Sequence, residues 1–183
     1  MRRLLPFRHE FHRREHLPSS GFVLAAVLVV LFIGKTGLKA AADFASEPLN
    51  TAFLSLGIGM LIWQAWRDRW RQDALRVVAV MLTETALYGA IKIVTWNGFH
   101  ILPRPSGHAG GFPSGHTAAA CALAYLLTER YPRLGPVWYL FAAVIGWSRL
   151  DAGAHYGYQI AAGALLGLTV AQLVSPRFPR SPA

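Results

Sequence analysis

Apolar and polar positions alternate in long blocks along this chain, not residue by residue. Six apolar runs stand out, at about 21–38, 51–66, 75–97, 115–129, 135–150 and 156–174. Short segments rich in Arg, Lys, Pro, Gly and His separate them. Several runs fall short of the roughly 20 residues that span a typical bilayer, so polar ends must complete them. In lipid every backbone N–H and C=O needs a partner, which a helix supplies internally and an isolated strand does not. The pattern predicts an all-α fold, a six-span transmembrane helix bundle, with a basic leader over 1–20, a membrane domain over 21–174 and a short tail over 175–183. Trp63, Trp66, Trp70, Trp96 and Trp138 fall near the predicted helix ends, where amphipathic rings favour the membrane interface. The GALLG run, Gly163 to Gly167, offers a small-residue face for close helix packing.

Composition narrows the class. Of the 183 residues 54% are apolar and 15% charged, yet the net charge is +9. That combination fits a membrane protein with basic cytoplasmic edges. The basic residues lie between apolar runs and form no continuous stripe, which argues against nucleic acid as a partner. No small-residue cleavage site follows the first run, and further spans come after it, so the leader is not read as a signal peptide. His9, His12 and His16 belong to this solvated leader. Cys121 is the single cysteine and can form no internal disulfide.

Charge also sets orientation. With a cytoplasmic N-terminus, the leader, the loop from Arg67 to Arg76, the loop from Arg130 to Arg133 and the tail hold 13 of the 18 Lys and Arg residues. Both termini are then cytoplasmic. The other side keeps Lys35, Lys39, Lys92, Arg104 and Arg149, and three of these belong to the one constellation with chemical character.

That constellation comprises HILPRPSGHAGGFPSGHTAAA between the third and fourth runs and WSRLDAGAHYGYQ between the fifth and sixth. Lys92, Arg104, Arg149, His116, His155 and the Ser114–Gly115 pair all fall at one end of the predicted bundle. Phosphate suits such a site, because Arg offers a planar fork and Lys a mobile point charge. PSGH is expected to open the fourth helix and aim free N–H groups at an anion, with Gly115 allowing close approach. Charges beside hydrocarbon are costly, so their presence points to function.

Taken together, PSGH at Pro113–His116, RP at Arg104–Pro105, and SR followed after five residues by His (Ser148, Arg149, His155) resemble the type 2 phosphatidic acid phosphatase superfamily. The resemblance implies that His155 is the nucleophile, forming a phosphohistidine that water hydrolyses, and that His116 is the acid for the leaving oxygen. It further implies that Lys92, Arg104, Ser114, Gly115 and Arg149 bind the phosphate, with neither metal nor other cofactor required. The two histidines lack a carboxylate or cysteine set at ligand spacing.

Two features depart from the family pattern. The pattern has Lys seven residues before the Arg of RP, whereas Lys92 precedes Arg104 by twelve. It also has Asp four residues after the nucleophilic His, and this chain has Gln159. One helical turn apart, Gln159 can still bond His155 and fix its tautomer, but it brings no charge. If Gln159 merely stands in for the missing carboxylate, Asp at 159 should speed phosphorylation; otherwise Asp151 or Glu84 supplies the charge. Glu84 is expected to be a buried partner of Lys92. His100 and His108 lie in the active-side loop, and Tyr156 and Tyr158 are expected interfacial anchors.

The expected activity is hydrolysis of a lipid phosphomonoester or pyrophosphate, in a bacterial inner membrane with the site facing the periplasm or exterior. Undecaprenyl pyrophosphate, phosphatidylglycerol phosphate, phosphatidic acid and lipid A phosphates all fit. A lipid phosphotransferase and a non-catalytic lipid-binding protein are the alternatives; the sequence sets no oligomeric state.

Overall fold

The computed structural model of the chain describes residues 37–68, 71–97, 103–107 and 110–177. The predicted leader, nearly all of the first predicted run, Trp70, His100, His108 and residues 178–183 lie outside the described residues. A short helix α1 (Lys39–Phe44) passes through a π-helical turn (Ala45–Leu49) into α2 (Asn50–Arg67). Four helices follow: α3 (Arg71–Asn97), α4 (Gly115–Arg130), α5 (Gly135–Asp151) and α6 (Gly157–Val174). The five long helices coincide with the last five apolar runs to within a few residues. The larger difference is at α3, which starts on the polar turn Arg71–Ala74; Asp73 there suits the positive end of the helix dipole. Two of them, α3 from Arg71 to Trp96 and α6, are long and apolar enough to cross a membrane.

Helix α4 is the centre of the bundle. It packs against α6, α5, α3 and α2. Ala118, Ala120, Cys121, Ala122, Leu123, Ala124, Leu126 and Leu127 are all buried along it. A helix that is apolar on every side has no solvent face, and small side chains let its neighbours come close. The closest approach is to α6. A Cβ at Gly163 would strike the Ser114 carbonyl, and one at Gly167 the Ala118 carbonyl. The small-residue face of GALLG is thus used against α4, and it brings the start of α6 beside PSGH.

Among the described residues, helix α3 lies on the outside of the bundle. Leu75, Val78, Leu82, Leu87, Ile93 and Val94 are exposed along it, as a lipid-facing helix requires. Cys121 is buried and free, away from the surface.

The long helices alternate in direction, so the molecule has two polar ends. One gathers the end of α2, the start of α3, the end of α4 and the turn Ser175–Arg177. There Arg67 meets Asp68 at 2.9 Å and Arg130 meets Asp68 at 3.4 Å. Arg76 lies between Asp73 at 3.2 Å and Glu129 at 3.8 Å. Ser175 Oγ donates to Glu129 Oε2 at 2.6 Å, and Tyr131 donates to Gln64. The start of the predicted tail is therefore docked on α4. The other end carries the residues of the constellation.

Candidate active site

His155 sits in the turn between α5 and α6 and is 2% exposed. Its Nδ1 lies 2.8 Å from the Gly111 carbonyl oxygen and 3.1 Å from Gln159 Oε1. The orientation of the Gln159 amide follows from its other partners. Its Oε1 accepts the Tyr156 backbone N–H at 3.1 Å, and its Nε2 donates to the Pro103 carbonyl at 3.0 Å and the Tyr158 hydroxyl at 3.1 Å. A backbone N–H can only donate and a carbonyl can only accept, so the amide cannot be reversed. Both neighbours of Nδ1 are therefore acceptors, the proton resides on Nδ1, and Nε2 keeps its lone pair. Burial pushes the imidazole down to about 4, with Arg149 and Arg104 acting the same way and the two oxygen partners opposing. The ring is neutral at physiological pH.

Gln159 is fully buried with both ends of its amide bonded. It does more than orient the ring. Pro103 immediately precedes Arg104, so the amide ties the loop carrying one phosphate-binding candidate to the nucleophile candidate. A carboxylate here would face the Pro103 carbonyl without a proton to offer it. Of the carboxylates weighed as substitutes, Asp151 is bonded elsewhere: its Oδ1 accepts the Gly37 N–H at 3.2 Å, fastening the segment before α1 to the end of α5.

PSGH opens α4 as expected, with Ser114 as the residue before its first turn. Ser114 is fully buried; its N–H donates to the Gln159 carbonyl at 3.0 Å and its hydroxyl pairs with Thr117 Oγ1 at 2.9 Å. These bonds make Ser114 the joint between α4 and α6. Gly115 has a reason that the sequence did not supply: a Cβ there would come within 2.6 Å of the Tyr88 ring. Tyr88 in turn accepts a hydrogen bond from Lys92, whose ammonium lies 4.7 Å from the ring centre. The expected Glu84–Lys92 pair is replaced by this contact, because Tyr88 stands one turn nearer on the same face. Glu84 is buried beside Thr85 Oγ1, at 3.4 Å.

His116 lies in the first turn of α4, half-buried, with Nε2 3.5 Å from Glu47 Oε1. The same oxygen is 3.0 Å from Arg149 Nη1, and that nitrogen also donates to Ser46 Oγ. Arg149, at the end of α5, is 7% exposed. Among the described residues, Nε of Arg149 and Nε of Arg104 meet no hydrogen-bond acceptor. His155 feels the charges of Arg149 and Arg104, and His116 those of Arg149 and Lys92, so the five groups form one electrostatic unit. The twelve-residue spacing from Lys92 to Arg104 keeps neither cation out of this unit. An open groove of about 350 Å³ lined by Gly89, Lys92, Ile93 and Trp96 runs along α3 beside Lys92.

Sequence reasoning did not single out Glu47, Ser46, Tyr88 or Pro103, and it read Tyr158 only as an anchor. Tyr158 stacks between Phe112 and Tyr156, with ring centres 6.4 and 5.7 Å apart, and also bonds Gln159.

Two histidines and three cations thus lie together at one end of a helical bundle. The chain belongs to the PAP2 superfamily, whose sequence model matches residues 73–182. It is similar to the bacitracin transport permease protein BcrC of Bacillus licheniformis, 38% identical over 129 residues. That alignment covers 65% of this chain and 63% of the relative, so the chain spans less than two thirds of it. The fold is similar to that of Aquifex aeolicus LpxE, with a TM-score of 0.56 at 23% identity over 85% of this chain and 94% of that one.

Proposed function

We propose that the protein is an integral membrane lipid phosphatase acting through a phosphohistidine on His155. The observation that carries this reading is the double acceptor on Nδ1, which leaves a neutral imidazole with its Nε2 lone pair available. Nε2 attacks phosphorus in line, and the bond to the lipid oxygen breaks with its electron pair leaving on that oxygen. His116 gives the departing oxygen its proton. Water then attacks the phosphohistidine, the N–P pair returns to Nε2, and neutral His116 takes the proton that the water loses. Lys92, Arg104 and Arg149 neutralise the equatorial oxygens, helped by the Gly115 N–H and, with a turn of its hydroxyl away from Thr117, Ser114.

The substrate is a phosphomonoester or pyrophosphate on a lipid, and the groove beside Lys92 suits the first carbons of its tail. Six spans with the site on the periplasmic or outer face fit the distribution of Arg and Lys. Incubation of the purified protein with ³²P-labelled lipid phosphate is expected to give an acid-labile protein adduct that His155→Ala lacks. Absence of the adduct in the wild type, with turnover intact, would refute the covalent route. A panel of undecaprenyl pyrophosphate, phosphatidylglycerol phosphate, phosphatidic acid and lipid A, with and without EDTA, identifies the substrate and tests the metal-free scheme. For topology, Ser106→Cys in a Cys121→Ala background is expected to react with an impermeant thiol reagent in intact cells; labelling only after cytoplasmic access would reverse the orientation.

A further inference from the structure

The stretch ASEPLN, Ala45–Asn50, carries no motif, yet it reaches the centre of the site. Pro48 has no N–H to give, and the helix takes the wider π spacing over Ala45–Leu49 before resuming as α2. Ser46 and Glu47 are thereby placed against α5 and the start of α4. Ser46, 3% exposed, and Glu47 share Arg149 Nη1, and a single Glu47 oxygen spans Arg149 at 3.0 Å and His116 at 3.5 Å. Since Ser46 already holds Nη1 in place, what Glu47 adds is negative charge.

We propose that Glu47 is a positioning residue of this site, whose carboxylate keeps the proton on His116 while steadying Arg149. The inference rests on the phosphatase reading and deepens it. Besides burial, which weighs most, three charged groups bear on the His116 ring: Arg149 from α5, Lys92 from α3 and Glu47 from the π-helical turn. The two cations oppose an imidazolium, and the phosphate site needs both of them. Glu47 counters them from the side, as a proton donor working next to cations requires. Two thirds of its side chain is exposed, so solvent screens the effect, and a change of roughly two- to fivefold is its natural scale.

The test compares wild type, Glu47→Gln and Glu47→Asp as full-length protein, with phosphatidic acid as the poor leaving group and p-nitrophenyl phosphate as the good one. Glu47→Gln keeps the shape and loses the charge. Its alkaline limb of kcat on phosphatidic acid should move to lower pH, so that turnover falls roughly two- to fivefold at a pH on that limb. The aryl ester, which needs little protonation, should lose much less, and Glu47→Asp should restore most of the limb. An unmoved limb, equal losses on both substrates, or Glu47→Asp no better than Glu47→Gln would each overturn the inference. Phosphoenzyme formation in parallel separates the two levels. A wild type without adduct or turnover removes the phosphatase reading and this inference with it; a normal wild type with an unmoved limb removes only the role of Glu47.

Discussion

The two polar ends of the bundle treat charge in opposite ways. At the end where α2 and α4 finish, each of Arg67, Arg76 and Arg130 faces a carboxylate, and the pairs tie α2, α3, α4 and the tail together. At the other end Lys92 rests on a tyrosine and Arg149 holds one exposed glutamate. Removing one partner of a buried pair strands the other charge, so the pairs at the first end hold their residues in place. Cations held in place by neutral or movable partners keep their field for an arriving anion. The same residue types are therefore paired with carboxylates at one end and, in the proposed reading, left for the substrate at the other.

The comparison breaks most visibly at the nucleophile. His155→Ala should abolish turnover and phosphoenzyme together. In the wild type the rate of adduct formation should hold as pH is lowered and fall only on approaching about 4, where Nε2 gains its proton. The sign follows from the lone pair: protonation below the folded value removes the nucleophile. A rapid-quench pH series measures this, and an inflection near 6.5 would show a ring that is not buried as described.

His116→Ala should cost roughly 10²–10⁴-fold on phosphatidic acid and far less on an aryl phosphate, read as kcat on the two substrates. Equal losses would take the proton-donor role away from this residue.

Gln159→Asp sharpens the contrast between a lost charge and a specialised amide. An anion beside Nδ1 would by itself favour phosphorylation, but the Pro103 carbonyl would lose its donor, at a cost of about 1–3 kcal/mol. The expected outcome in single-turnover adduct formation is a slower rate with a raised KM, because the Arg104 loop is loosened. A tenfold gain would show that the missing carboxylate, and not the loop tie, dominates.

At the paired end, Arg76→Met should leave kcat within about twofold and lower stability by about 3 kcal/mol, since Asp73 and Glu129 would remain buried without their cation. Thermal unfolding in detergent measures it. Lost activity at unchanged stability would mean that the two ends are coupled.

Much of this molecule was legible in order along the chain. The five long helices followed from apolar runs, a face for close helix packing from Gly163 and Gly167, and the opening of α4 from PSGH; that α4 is the partner of that face came from the structure. Hydropathy and small-residue spacing are local properties, and helices in an apolar setting obey them. His116, Lys92, Arg104, Arg149 and His155 were readable because their residue types stand out against apolar neighbours. The partners of those groups were not readable. Gln159 meets Pro103 across 56 residues, His155 meets Gly111 across 44, and Arg149 meets Glu47 across 102. Nothing local distinguishes Glu47 from a solvated glutamate, and nothing in Tyr88 announces that its ring fills the place of a Cβ on Gly115. The sequence by itself determined which of the described segments are helices and which residues are candidates for the chemistry. Only the tertiary structure decided which proton sits on which nitrogen and which carboxylate faces which cation, because those depend on contacts that close only when distant turns are packed together.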